Sequence, residues 1–249
     1  LLLAFNVILD SKFKKAMSLQ VIFEDNHLIA VNKPAGMLVH ADATEDATLE
    51  DFVKEYIKIR YRKPGDVFLG TIHRIDRPVS GAIVFARTSK ALTRMNELFK
   101  KREIEKKYWA ITQERPSPIS GTLEHYIAKD RSKNQALIYD QLSTRAKNNK
   151  AKKARLSYQL IAGADNRNVL EISLETGRPH QIRVQLAHSG TPIVGDLKYG
   201  APFPMNDATI ALHSRSISFL HPVRKEPVTI TADPPLNEEW SRFAEVLNF

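Results

Sequence analysis

The chain has 249 residues, 37 Lys plus Arg against 28 Asp plus Glu for a formal charge of +9, 43% hydrophobic residues and no cysteine. That apolar share suffices for a packed core and argues against extended disorder, while zero cysteine excludes a disulfide framework, zinc ribbons, iron–sulfur clusters and a thiol nucleophile. No apolar run approaches the ~20 residues of a membrane helix, so the sequence reads as soluble, intracellular and cytoplasmic, and its positive balance favours a polyanionic partner, most often nucleic acid.

Residues 1–16, LLLAFNVILDSKFKKA, stand apart. Their apolar stretch precedes the basic residues, the reverse of a secretory signal. Met17 directly precedes a strand-like segment and is read as the natural start, with 1–16 an upstream extension and 17–249 one domain. An extra element docked on that domain is the alternative. Val21–Phe23 and Leu28–Val31 are short apolar runs that read as a strand pair, and Asn32-Lys33-Pro34-Ala35-Gly36 then breaks regular structure. Thr48-Leu49-Glu50-Asp51 resembles a capping box, and Leu49, Phe52, Val53, Tyr56 and Ile57 trace the buried stripe of a helix. Val67–Ile72 is strand-like and Ala82–Ala86 is an apolar strand. Ala91, Leu92, Met95, Leu98 and Phe99 repeat the helical stripe behind a cap at Thr88 or Ser89.

Tyr108–Thr112 reads as a strand. Leu156, Tyr158, Leu160 and then Leu170, Ile172, Leu174 form a hairpin around a turn at 163–168. Gly177-Arg178-Pro179 leads into a short helix, with Pro179 suited to its first position. Ile210–Phe219 suggests a further strand, and Leu236, Trp240, Phe243, Ala244 and Leu247 a terminal helix. Strands outnumber helices without strict alternation, which favours an α+β class with a mixed, largely antiparallel sheet and flanking helices.

Two segments carry chemistry. Gly70–Gly81, GTIHRIDRPVSG, places Asp76 between Arg74 and Arg77 in a loop shaped by Pro78 and Gly81; read alone, it is equally a surface salt bridge in a turn. Glu175–His188, continuing to Gly195-Asp196, crowds Arg178, His180, Gln181 and Arg183 at a helix start. The free N–H groups and positive dipole end there suit phosphate or carboxylate; an amphipathic helix with a basic polar face is the bland reading. A third, Arg145–Arg155, contains Arg145, Lys147, Lys150, Lys152, Lys153 and Arg155 with no acid. It is either a solvated loop or an RNA-backbone contact, as is the second cluster of Lys100, Lys101, Arg102, Lys106 and Lys107.

Together the segments resemble the RluA-type family of RNA pseudouridine synthases. HRIDRPVSG at 73–81 is similar to the family's H-R-L-D-x-x-T-S-G. TGRPHQIRVQLAHSGTPIVGDLKYG at 176–200 is similar to its T-G-R-x-H-Q-I-R-V-H-L-A-H-x-G-x-P-I-x-G-D-x-x-Y-G. Lys106-Lys107-Tyr108-Trp109-Ala110 resembles its K-x-Y-x-A strand, and IFEDNHLIAVNKPAGMLVH at 22–40 its usual opening. Val79, Pro179 and Gln185 depart from the common Thr, Thr and His without removing a group the chemistry needs. The stretch before residue 19 is too short for the S4-type RNA-binding domain many members carry, so that domain is expected to be absent, which leaves the RNA target open.

The resemblance implies the pseudouridine synthase catalytic fold and an isomerase that detaches uracil from its ribose, rotates it and rejoins it through C5, with no cofactor and no metal. It implies Asp76 as the catalytic carboxylate, acting on the base, on the sugar C1′, or as a base on the sugar. Arg183 would pair with it and Tyr108 would stack on the uracil, its hydroxyl available to assist proton removal from C5. A target uridine would flip out of its helix, with Arg74 filling the gap. His73, Arg77, Arg178, His180, Gln181, Lys147, Lys150, Lys152 and Lys153 are assigned to RNA, ribosomal or transfer, and a monomer is expected. A silent RNA-binding protein should lack the aspartate, tyrosine or arginine. A uracil methyltransferase or zinc deaminase needs the missing cysteines, and a serine hydrolase lacks G-x-S-x-G.

Overall fold

The computed structural model describes residues 19–41, 46–130, 132–206 and 209–249; the reading of 1–16 lies outside them. Strands β1 (Val21–Glu24) and β2 (Leu28–Lys33) lead to helix α1 (Leu49–Arg60), then β3 (Gly70–Thr71), β4 (Ser80–Ala86), α2 (Ser89–Lys101) and β5 (Glu105–Thr112). Next come β6 (Ser120–Asp130), β7 (Gln135–Tyr139), α3 (Thr144–Asn148), β8 (Lys152–Ala164), β9 (Arg167–Leu174) and α4 (Gln181–His188). A 3-10 turn (Leu197–Tyr199), β10 (Leu212–Leu220), β11 (Pro227–Thr231), α5 (Glu238–Ser241) and α6 (Ala244–Leu247) complete the order. One sheet runs β1-β2-β4-β10-β5-β9-β8-β6-β7, with β11 beside β10 and β3 beside β4. The pair β10–β4 is parallel; the other named pairs are antiparallel, so the expected mixed α+β sheet is observed. No helix among the described residues is long and apolar enough to cross a membrane.

Alternation along the central strands explains the layering. Leu28 and Ala30 of β2, with Ala82 and Val84 of β4, face Ala91 and Met95 of α2. Ile29, Val31, Ile83 and Phe85 point to the other face, against Leu49 and Val53 of α1 and, further along, Trp240 and Phe243. Strands covered on both faces read as continuous apolar runs, which is how β2 and β4 look in sequence. Thr48 caps α1 through a full capping box with Asp51, and Thr88 caps α2. The β8–β9 hairpin turns at Asp165 and Asn166, both at positive φ, the two-residue geometry that matches the twist of its strands.

Several boundaries differ from expectation. α4 begins at Gln181, not Pro179, because His180 sits at its N-cap in the left-handed region (φ 51°). The terminal helix is split into α5 and α6, as Trp240 and Phe243 both turn into the core. Val67–Ile72 contributes just the two residues of β3. β6, β7 and β11 escaped the sequence reading, and β8 starts within the basic run at Lys152. Its acids come from elsewhere in the chain: Lys153 pairs with Glu124 at 2.7 Å and Arg155 with Glu175 at 3.2 Å.

Candidate active site

Asp76 lies in the turn between β3 and β4, and its carbonyl accepts from the Val79 N–H at 3.1 Å. The turn is fixed from behind. Gly81 has φ +117°, and a Cβ there would lie 2.4 Å from the Ser214 carbonyl oxygen, so only glycine lets β4 run this close to β10. Next to it, His213 donates from Nε2 to the Ala232 carbonyl (2.9 Å) and accepts at Nδ1 from the Ser80 hydroxyl (2.8 Å). Burial holds this imidazole neutral, pushed down to about 4. From the opposite side, buried Lys33 donates to the carbonyls of Pro34 (2.9 Å), Met37 (2.8 Å) and Arg77 (3.1 Å). These bonds occupy all its ammonium protons and tie the loop after β2 to the Asp76 turn. Burial pulls Lys33 down to about 7, with the nearby Asp76 working the other way.

Arg183 arrives from α4. Its Nε and Nη2 grip Asp196 bidentately at 2.7 and 2.8 Å, and Nη1 reaches Asp76 Oδ2 at 3.0 Å. The Arg183 guanidinium also lies 5.1 Å from the Tyr199 ring centroid. Burial disfavours the charge, yet the two carboxylates outweigh it and hold the guanidinium above its ordinary value. The side chain of Asp196 is 1% exposed and that of Asp76 30%. Asp76 therefore faces an open cleft of about 990 Å³, within the usual size range of ligand pockets.

Tyr108 on β5 lines the same cleft and is 7% exposed. Burial, reinforced by the Asp76 charge, pushes its phenol up to about 12. At neutral pH its hydroxyl is therefore protonated. Thus Asp76, Tyr108 and Arg183, from three distant stretches, share one cleft.

His73, Arg74, Arg77, Arg178, His180 and Gln181 also line it. Arg74 and Arg77 are exposed at the rim, with Arg77 paired to Asp46 at 2.9 Å, and Arg178 donates to the Lys153 carbonyl at 3.0 Å. Gln181 and one ring nitrogen of His73 are bonded within the protein. His73 Nε2 accepts from the Val84 N–H (3.1 Å), and its ring stacks 5.4 Å from that of Phe99. Burial pushes it down to about 3. Gln181 accepts from Thr176 Oγ1 (2.8 Å) and the Arg178 N–H (3.0 Å) and donates to the Arg155 carbonyl (3.1 Å). Lys147, Lys150, Lys152 and Lys153 are exposed and lie outside the cleft lining. Lys100, Arg102, Lys106, Lys129 and Lys198 add to its basic rim.

Sequence reasoning gave no role to Lys33, Asp196 or Tyr199. Asp196 left a signal, an acid at the end of the same motif as an arginine that needs a partner. Lys33 had only its place before a Pro-Ala-Gly break.

Residues 27–188 match the family described as RNA pseudouridylate synthase. The chain is 32% identical over 229 residues to the ribosomal large subunit pseudouridine synthase D of Zymomonas mobilis, covering 87% of this chain and 69% of that protein. It is 31% identical over 250 residues to the tRNA pseudouridine synthase C of Haemophilus ducreyi, covering 90% and 93%. The solved structure of human RNA pseudouridylate synthase domain containing 4 superimposes with a TM-score of 0.76 at 24% identity, covering 96% and 97%, a likeness of fold.

Proposed function

The chain belongs to the RNA pseudouridylate synthase family and is an isomerase acting on RNA, and from that premise we propose that Asp76 carries the reaction on a uridine turned out of its RNA into the cleft. The observation behind this reading is the shared guanidinium. Arg183 is saturated on one side by Asp196 and gives a single N–H to Asp76. The Asp76 carboxylate is aimed and charge-balanced, yet keeps acceptor capacity toward the cleft, as a nucleophile or base requires. Tyr108 supplies a face for the uracil, and base–aromatic stacking contributes about 1–3 kcal/mol. The turned-out base costs a few kcal/mol of unstacking, which the basic rim offsets through phosphate contacts. Gln181 shapes the wall through its bonds to Thr176, Arg178 and Arg155, while His73 accepts at Nε2 and keeps Nδ1 for the cleft side.

The substrate is ribosomal or transfer RNA, the two classes named for the relatives above. Tritium release from C5-labelled uridine in unmodified transcripts of both classes tests the reading. Release from at least one class by the wild-type chain, and none by Asp76→Asn, is expected. Full release by that variant, or none by the wild type with either RNA class, overturns it.

A further inference from the structure

His180 stands at a position the chain holds at a cost. It occupies the left-handed region at φ 51°, at the start of α4, and caps no N–H with its side chain. A non-glycine residue there stores strain that the surroundings must impose. Its ring is held by a neighbour. Nδ1 lies 2.8 Å from the Tyr199 hydroxyl, and that hydroxyl oxygen already accepts from the Ala136 N–H at 2.7 Å. A phenol has one proton to give. The Ala136 N–H fills one lone pair and leaves the phenol proton free to turn to His180 Nδ1; with Nδ1 accepting, the proton of a neutral imidazole sits on Nε2. Nε2 faces the cleft at 3.8 Å from Asp76 Oδ2, the oxygen that also takes Arg183 Nη1.

The groups around the ring are Asp76 from the β3–β4 turn, Arg183 from α4, and Asp196, Lys198 and Tyr199 from the segment after it. Burial disfavours the imidazolium; Asp76 opposes that effect, while Arg183 and Lys198 add to it. A neutral ring whose Nδ1 accepts from the hydroxyl fits both the burial and the 2.8 Å contact. At 3.8 Å the N–H is too far for a hydrogen bond, but free enzymes often hold such bonds long and shorten them when substrate seats.

We propose that His180 is a positioning residue of the isomerisation: the Ala136–Tyr199 relay fixes it as the neutral Nε2–H tautomer, and its N–H closes onto Asp76 as the uridine enters. The proposal rests on the assignment of Asp76 above, but its first test does not. In RNA-free protein labelled with 15N-histidine, long-range proton–nitrogen spectra at pH 7 are expected to show an acceptor Nδ1 and a protonated Nε2 for the signal that His180→Gln removes. Tyr199→Phe is expected to erase that preference. A protonated Nδ1 or an imidazolium overturns the relay, whatever Asp76 does.

The second test is single-turnover kinetics. His180→Leu is expected to slow the chemical step about 10- to 100-fold, the loss of one hydrogen bond to a charged group, with RNA affinity within about twofold. His180→Gln, whose amide places an N–H near the same point, is expected to recover most of that loss. A leucine variant at the wild-type rate, or a glutamine variant as slow as leucine, overturns the positioning role. Activity retained by Asp76→Asn, with the tautomer as expected, instead locates the error in the Asp76 assignment.

Discussion

The two carboxylates that share Arg183 sit in opposite surroundings. Asp196, behind Arg183 and outside the cleft lining, is 1% exposed and bonds through both oxygens to Nε and Nη2 at 2.7 and 2.8 Å. Asp76, at the mouth, is 30% exposed and makes one bond to the same guanidinium at 3.0 Å. A carboxylate buried behind the arginine is closed to a reactant, whereas a singly bonded one at a cleft edge keeps lone pairs a reactant can reach. The difference teaches that a single arginine can be anchor and aiming device together. The buried pair fixes where the guanidinium points, and the bond at the cleft passes that direction to Asp76.

Asp76→Asn sharpens this contrast most. It is expected to take pseudouridine formation to background while urea denaturation shifts by less than about 1 kcal/mol, since a partly exposed pair contributes little to stability. Asp196→Asn is expected to fail on both counts. Leaving Arg183 buried with its main partner gone costs about 3–5 kcal/mol, read from the same denaturation curve. If both variants unfold alike, the division into a buried anchor and a cleft-facing carboxylate breaks down.

The buried histidines near the site make a smaller, pH-dependent prediction. His213 and His73 are held neutral by burial, at about 4 and about 3, against about 6.5 in the unfolded chain. Above pH 6.5 both states are neutral and the two residues contribute no pH dependence. As pH falls from 6.5 towards 4 the unfolded chain binds the extra protons, so stability is lost through that window by a few kcal/mol. Urea midpoints at pH 7, 6 and 5 measure it. His213→Asn should flatten the slope, and an unchanged slope would assign the acid sensitivity to other groups.

The smallest effect concerns the surface. Lys147, Lys150 and Lys152 lie off the cleft. Replacing them with Gln is expected to lower the salt dependence of RNA binding by about 0.7 log units per log salt for each single-strand phosphate no longer neutralised, with the chemical step untouched. An unchanged salt slope confines the RNA to the rim around Arg178 and Lys129.

The central strands were legible because burial on both faces leaves a one-dimensional trace: β2 and β4 are unbroken apolar runs, and Thr48 and Asp51 spell out a cap. β6, β7 and β11 left weaker traces. Their half-exposed faces are set by whichever strand lies beside them, as when Glu124 of β6 meets Lys153 of β8. The site divides the same way. Motif order named Asp76, Tyr108 and Arg183, because residue type and spacing are local properties. Packing alone decided that Arg183 would be saturated by Asp196, that Tyr108 would be buried deeply enough to keep its proton, and that Ala136 and Tyr199 would set the face His180 shows to Asp76. Each of these depends on desolvation and on distances between remote segments, quantities a linear sequence does not contain.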